Sequence, residues 1–142
     1  MIGEQVEEGK GKRTGRRVIA LDPLKIEATV EEMTTLLGHQ GMSIITYTSG
    51  TKPDGSLDGE GNAVFATLEA DMVTWKGLGV GRFGEGGSIH YSGSVSFTTT
   101  SPKFTKLNGV SGVFQFEIDA QGNTHSKIWE FATASATKGA GA

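Results

Sequence analysis

Residues 57–83 read LDGEGNAVFATLEADMVTWKGLGVGRF, and their alternation decides the fold. Every second residue from Leu57 gives Leu57, Gly59, Gly61, Ala63 and Phe65. The same step from Val73 gives Val73, Trp75, Gly77, Gly79, Gly81 and Phe83. A period of two means strands, because successive side chains point to opposite faces of a sheet. Glycine weakens a strand by entropy, so glycines on one face need a reason: sheet curvature, close backbone approach, or space left for something else. A small closed barrel supplies all three.

Between the two segments Glu69-Ala70-Asp71 reads as a short hairpin loop, pairing Leu68 with Met72. That register sets Phe65 opposite Trp75, Ala63 opposite Gly77, Gly61 opposite Gly79 and Gly59 opposite Gly81. After the turn Gly84-Glu85-Gly86-Gly87, the same parity on Ile89–Thr99 carries Tyr91, Gly93, Val95 and Phe97. One face thus holds a floor of glycines with a wall of Phe65, Trp75, Tyr91 and Phe97, and is read as the barrel interior. The other face holds Val64, Ala66, Leu68, Leu78 and Val80, then Ser92, Ser94 and Ser96. Aliphatic residues left on an outer face predict a homo-oligomer.

Outward from this centre the pattern continues. Thr14–Leu21 reads as a first strand, broken by Asp22-Pro23. Leu24, Ile26, Ala28 and Val30 alternate with polar residues as a half-buried strand, and the alternation fades through Glu32–Leu37, where a helical turn is an alternative. Met42–Ser49 follows, and Lys52-Pro53-Asp54-Gly55 turns the chain. Ser101–Gly109 is a connection too long for a tight hairpin. Val110–Asp119 and Thr124–Phe131 form the last pair. The expectation is all-β: about eight strands in an antiparallel up-and-down barrel, with an open seven-stranded sandwich as the alternative. The predicted organisation is a mobile N-terminus over 1–12, a single barrel domain over 13–131 and a disordered tail over 132–142.

Composition narrows the function. With 142 residues the chain forms one domain with one core. Its formal charge of −3 argues against nucleic acid as a partner. The absence of cysteine excludes disulfides, thiolate metal sites and a cysteine nucleophile. No apolar run approaches the roughly 20 residues of a membrane-spanning helix, and the charged N-terminus does not read as a signal peptide. A soluble cytoplasmic protein is the expectation, with no membrane partner. His39, His90 and His125 lie in separate elements without ligand spacing, so no metal and no cofactor are expected. The segment DGSLDGEGN lacks the helices and terminal glutamate of an EF-hand loop. Gly77, Gly79 and Gly81 sit mid-strand, where a dinucleotide fingerprint would need a helix to follow.

The chemistry left is that of polar groups in an apolar barrel: Tyr47, Tyr91, Glu32, Arg82 and Glu130. A phenol or carboxyl there acquires a shifted pKa suited to proton transfer. Tyr47, Tyr91 and Glu32 are the catalytic candidates. Phe65, Trp75, Gly77, Gly79, Phe97 and Phe114 are the candidate contacts for a small apolar molecule.

The segment from Leu107 to Glu117, LNGVSGVFQFE, resembles the Gly-x-x-Gly-x-Phe strand of allene oxide cyclases and dirigent proteins, with Gly109, Gly112 and Phe114 filling the pattern. The likeness extends over about half of the chain. It implies an eight-stranded, dimeric or trimeric barrel that encloses an apolar cavity and folds a reactive molecule into one product. It supplies no active-site residues. Two functions follow: a small-molecule barrel, either cyclase or isomerase or carrier, and a non-catalytic structural or interaction barrel with a solid core.

Overall fold

Eight strands are hydrogen-bonded in chain order, and the first pairs with the last to close the barrel. They are β1 (Ile2–Leu21), β2 (Leu24–Leu36), β3 (His39–Thr51), β4 (Leu57–Ala66), β5 (Met72–Phe83), β6 (Ile89–Thr98), β7 (Ser111–Ile118) and β8 (Asn123–Phe131). Every pairing is antiparallel. The computed structural model describes residues 1–132, so the expected disordered tail falls outside the described residues from 133 onward.

The inner and outer faces are those read from the alternation. Phe65, Trp75, Tyr91 and Phe97 are buried, while Leu68, Leu78 and Val80 are exposed. The β4–β5 register differs by two residues. Ala63 faces Trp75 and Phe65 faces Val73, because Thr67 and Asp71 close the loop. Ala70 takes a left-handed conformation (φ 69°) and its N–H donates to the Thr67 carbonyl at 3.0 Å, so the turn is Leu68–Ala70. A two-residue slide preserves parity, so no side chain changes face.

Three further boundaries differ from expectation. First, β1 begins at Ile2, and residues 7–12 are paired on both sides, to β2 and to β8. Residues 1–12, expected as a mobile terminus, are therefore its first half. Their alternation is hidden because the inward positions are Glu7, Gly9 and Gly11 rather than aliphatics. A register shift between Gln5 and Glu7 also turns the neighbours Val6 and Glu7 both inward. Second, Glu32–Leu36 continues β2 without a helical turn: Glu32 and Thr34 face in and Met33 faces out, the reverse of an amphipathic strand, before Leu36 faces in again. Third, the connection after β6 is a 3₁₀ segment, Pro102–Gly109, that plugs one end of the barrel.

The plug explains how that end is sealed. Phe104 and Leu107 are fully buried, and Phe104 packs edge-on against Phe65 with ring centroids 5.7 Å apart. Asn108 ties the segment down, accepting from the Thr99 N–H at 2.9 Å and donating to the Thr99 carbonyl at 3.0 Å. Lys103 pairs with Glu69 at 2.7 Å and Asp71 at 3.1 Å. The opposite end is the mouth, where the turns after β1, β3, β5 and β7 lie. Two apolar clusters fill the interior. One, around Phe65, Trp75, Phe97 and Phe104, adjoins the plug; the other, around Val30, Leu57, Tyr91 and Phe116, lies toward the mouth.

The glycine floor mainly serves close packing. A Cβ at Gly81 would stand 2.6 Å from the Tyr91 ring, and one at Gly79 would meet the Phe114 ring at 2.9 Å and the Ser92 carbonyl at 2.5 Å. The rings of β6 and β7 thus lie directly on the backbone of β5.

Candidate functional site

Between the two clusters the barrel keeps a cavity of about 80 Å³, with an apolar wall made by Trp75, Val95, Phe114, Phe116 and Ile128. It exists because the facing positions Gly59, Gly61, Ala63 and Gly77 project little or nothing into it. Tyr47 and Tyr91 bound it on the mouth side, packed edge-on at 5.6 Å between ring centroids, and the Tyr91 hydroxyl is hydrogen-bonded to Ser49. On the β1–β8 side the wall turns polar with Glu7 and Ser126, and β3 and β4 add Ile45, Glu60 and Asn62 to the lining.

Glu7 belongs to a buried network. Ser126 Oγ lies 2.9 Å from Glu7 Oε2 and 2.7 Å from Glu32 Oε1, and Thr124 Oγ1 donates to Glu32 Oε2 at 2.7 Å. Glu7 and Glu32 are 2% and 0% exposed, which makes an ionised pair untenable without a counter-ion. A serine hydroxyl has one hydrogen, so it can donate to only one of these carboxyls. The other must carry a proton and donate to Ser126 Oγ. Burial, reinforced by the neighbouring Glu32 charge, pushes the Glu7 pKa up to about 8, against the opposing pull of Ser126. Burial also raises Glu32, while its hydrogen bonds from Ser126 and Thr124 favour the charged form. Glu7 is therefore the neutral acid at pH 7, and its proton leads through Ser126 to Glu32.

Local sequence makes room for this pair. A Cβ at Gly9 would fall 2.4 Å from Glu32 Oε1 and 2.9 Å from Ser126 Oγ, so glycine clears the space in which the two carboxyls meet. Among the described residues no buried side-chain nitrogen or oxygen lacks a partner.

The structure distributes the sequence candidates as follows. Tyr47 and Tyr91 line the cavity, and Glu32 stands behind Ser126. Trp75, Gly77 and Phe114 also line it. Phe65 and Phe97 instead pack in the cluster next to the plug, and Gly79 lies under the Phe114 ring. Arg82 is on the outward parity, exposed and opposite His90, and Glu130 is half-buried in the last strand away from the cavity. Burial raises both phenols; for Tyr47 the neighbouring Tyr91 adds to it, and Arg13 and Arg16 oppose it. Sequence reading missed Glu7, Ser126 and Thr124. The one available signal was their parity with Gly9, Gly11 and Ile128 across two strands not yet known to pair.

Histidines stay outside. His90 lies 3.4 Å from Glu117, and His125 lies 2.6 Å from Glu8. Among the described residues no three His, Asp or Glu side chains converge as metal ligands, and no helix is long and apolar enough to cross a membrane.

No family model matches the chain, and no curated protein matches it by sequence. Solved structures do share its fold. A protein of unknown function from Clostridium acetobutylicum superposes with a TM-score of 0.78 at 12% identity, covering 91% of this chain and 98% of its own. A conserved protein of unknown function from Rhodopseudomonas palustris gives 0.76 at 11%, covering 92% and 97%. A beta-barrel like protein from Acinetobacter baumannii gives 0.76 at 9%, covering 92% and 94%. At such identities the likeness shows the closed barrel and nothing of its chemistry. None of the three bears the name of an allene oxide cyclase or a dirigent protein.

Proposed function

We propose that this barrel binds a small, largely apolar molecule between its two clusters and presents the Glu7 carboxylic acid to it. One observation carries the reading: the buried Glu7 acid and the Ser126 hydroxyl meet the apolar wall of one cavity, whose other polar lining residues, Glu60 and Asn62, are exposed residues of β4. Apolar pockets with a few convergent polar groups are the usual form of a ligand site. An acid whose pKa lies close to neutrality is poised to give and recover a proton. The chemistry this supports is isomerisation, in which Glu7 lends a proton to the ligand and takes one back, leaving formula and redox level unchanged. The finer reading, an isomerase like the allene oxide cyclases, is supported by the Gly109, Gly112 and Phe114 pattern and by the position of the Phe114 ring on the cavity.

Size favours the rival reading, a structural barrel. The cavity is far below the roughly 300 Å³ of an ordinary ligand pocket, and holds about three waters at the roughly 30 Å³ each takes in the liquid. A ligand that fits is small or extends past the tyrosines into the mouth. Titration with benzene-sized probes decides the matter in a Trp129→Phe variant, where Trp75 is the sole tryptophan. We expect a saturable change in Trp75 emission that an Ala63→Leu substitution abolishes without altering the strand signal in circular dichroism. Unperturbed Trp75 emission across the panel overturns the pocket and leaves the scaffold.

The same proposal includes a cytoplasmic protein that associates with copies of itself. Met33, Met42, Ala66 and Met72 are register partners across four strands of the outer face, and the three methionines are 68%, 44% and 53% exposed. Methionine-rich apolar strips of this kind mark contact surfaces. Light scattering at tens of micromolar should give at least twice the 14.9 kDa of one chain. A monomer mass would end this reading.

A further inference from the structure

The first strand carries two arginines on its inward side. Arg13 pairs with Val30 and Arg16 with Ala28, and Ala28 pairs in turn with Tyr47 on β3. Val30 and Ala28 are core positions, so directly opposed Arg13 and Arg16 face the same side as the core. The eighth strand does not reach them both. Its pairing with β1 ends at Lys12 and Asn123, and Arg13 N–H donates to the Gly122 carbonyl at 2.8 Å. Beyond that point β1 overhangs the mouth, paired with β2 alone.

These two cations lack acidic partners. Neither side chain makes an ion pair or a hydrogen bond among the described residues, whereas outward-facing Arg17 is paired with Glu27 at 2.9 Å. Among the carboxylates of the mouth turns, Asp54 accepts from Ser56 and Asp119 accepts from Gln121 and Asn123, while Asp22 and Glu85 make no ion pair with either arginine. Glu32 lies deeper, bound to Ser126 and Thr124. One neutral donor adjoins the arginines, since Tyr47 is in the register row of Arg16, with Ile45 in that of Arg13, and the Tyr47 hydroxyl has no hydrogen-bond partner among the described residues. The Tyr91 hydroxyl is taken by Ser49.

We propose that Arg13, Arg16 and the Tyr47 hydroxyl receive the carboxylate of an amphipathic organic acid whose apolar end enters the cavity past Tyr47 and Tyr91. The inference rests on the pocket proposed above and names its ligand class. A guanidinium presents a planar fork of donors matched to a carboxylate, and two of them more than balance its single charge. The arrangement also accounts for the cavity's size: only the apolar end of such a ligand needs to be enclosed, while its head stays at the mouth.

Matched probes test this in the full chain. Hexanoate and hexanamide have the same length and differ in charge, and Trp75 emission in the Trp129→Phe background reports both. Hexanoate should bind at least about tenfold more tightly at neutral pH, a difference within reach of one desolvated ion pair. Arg16→Gln, at an exposed position that leaves the core untouched, should remove most of that preference, and the Arg13→Gln/Arg16→Gln pair all of it. Hexanamide affinity should not move in either variant, and Arg17→Gln should behave as the wild type. Raising salt from about 0.05 M to about 0.5 M should weaken hexanoate alone. Equal affinity for the two probes, or a preference that survives in the double variant, overturns the organic-acid reading and leaves the apolar pocket standing. Failure of both probes and of the benzene-sized panel overturns the pocket itself, and this inference with it.

Discussion

Replacing Phe104 by alanine is expected to lower stability by about 3–5 kcal/mol, the usual cost of emptying a fully buried phenylalanine site. Phe104 is 0% exposed and meets Phe65 and His39 edge-on, at centroid distances of 5.7 and 5.2 Å. Its segment is anchored by Asn108 and Lys103, which cannot follow the shortened side chain inward. The space therefore stays open. For a domain with about 5–15 kcal/mol of total stability, the loss is a large fraction. Urea denaturation followed by circular dichroism measures it. Phe83→Ala, at a position 64% exposed, serves as the control and should shift stability by less than about 0.5 kcal/mol. A cost under about 1 kcal/mol at Phe104 would mean that the plug does not seal the barrel.

The second large effect is an inverted pH dependence. The folded pKa of Glu7 is about 8 against an ordinary value of 4.5, so between these two pH values the unfolded chain has lost a proton that the folded chain retains. Stability contributed by this protonation is fully present below about 4.5 and is lost as pH rises through about 8. The slope reaches about 1.4 kcal/mol per pH unit inside the window. Glu32, raised by the same burial, acts in the same direction. Glu8, Asp54, Asp71 and Asp119 are lowered by their hydrogen bonds and act oppositely, losing stability as pH falls below the ordinary carboxylate range. Denaturation midpoints from pH 4 to 9 should therefore peak at the acid side and fall toward pH 8. Glu7→Gln, which keeps a donor for Ser126 and cannot ionise, should flatten the fall. A wild-type midpoint that is constant between pH 5 and 8 would refute the buried acid.

Much of the fold was legible because β4, β5 and β6 use glycine and aromatics on one face and polar or aliphatic residues on the other. Parity survives a register error, so Phe65, Trp75, Tyr91 and Phe97 were placed inside although the hairpin was misaligned by two. The site was less legible for the opposite reason. Its chemistry sits where an inward face is polar: Glu7 in β1, Glu32 in β2, Thr124 and Ser126 in β8. Alternation of charge with glycine looks like solvated chain when burial is judged by hydropathy. A carboxyl enters such a core only if it is neutral and hydrogen-bonded, and that depends on pairings 92 to 119 residues apart. Local pattern cannot contain them.

Those separations bear on how the molecule is made. Glu7, Glu32 and Ser126 come from the first, second and last strands, so the acid pair is complete only when β8 zips against β1. Closing so long a loop is entropically slow, and contacts of this kind form late in folding. A nascent chain emerging from the ribosome must hold its first strand waiting until β8, Asn123–Phe131, has been synthesised. During that interval Glu7 is an ordinary ionised side chain in water, and its charge helps keep the unpaired edge soluble. Proton uptake by Glu7 then coincides with closure of the barrel.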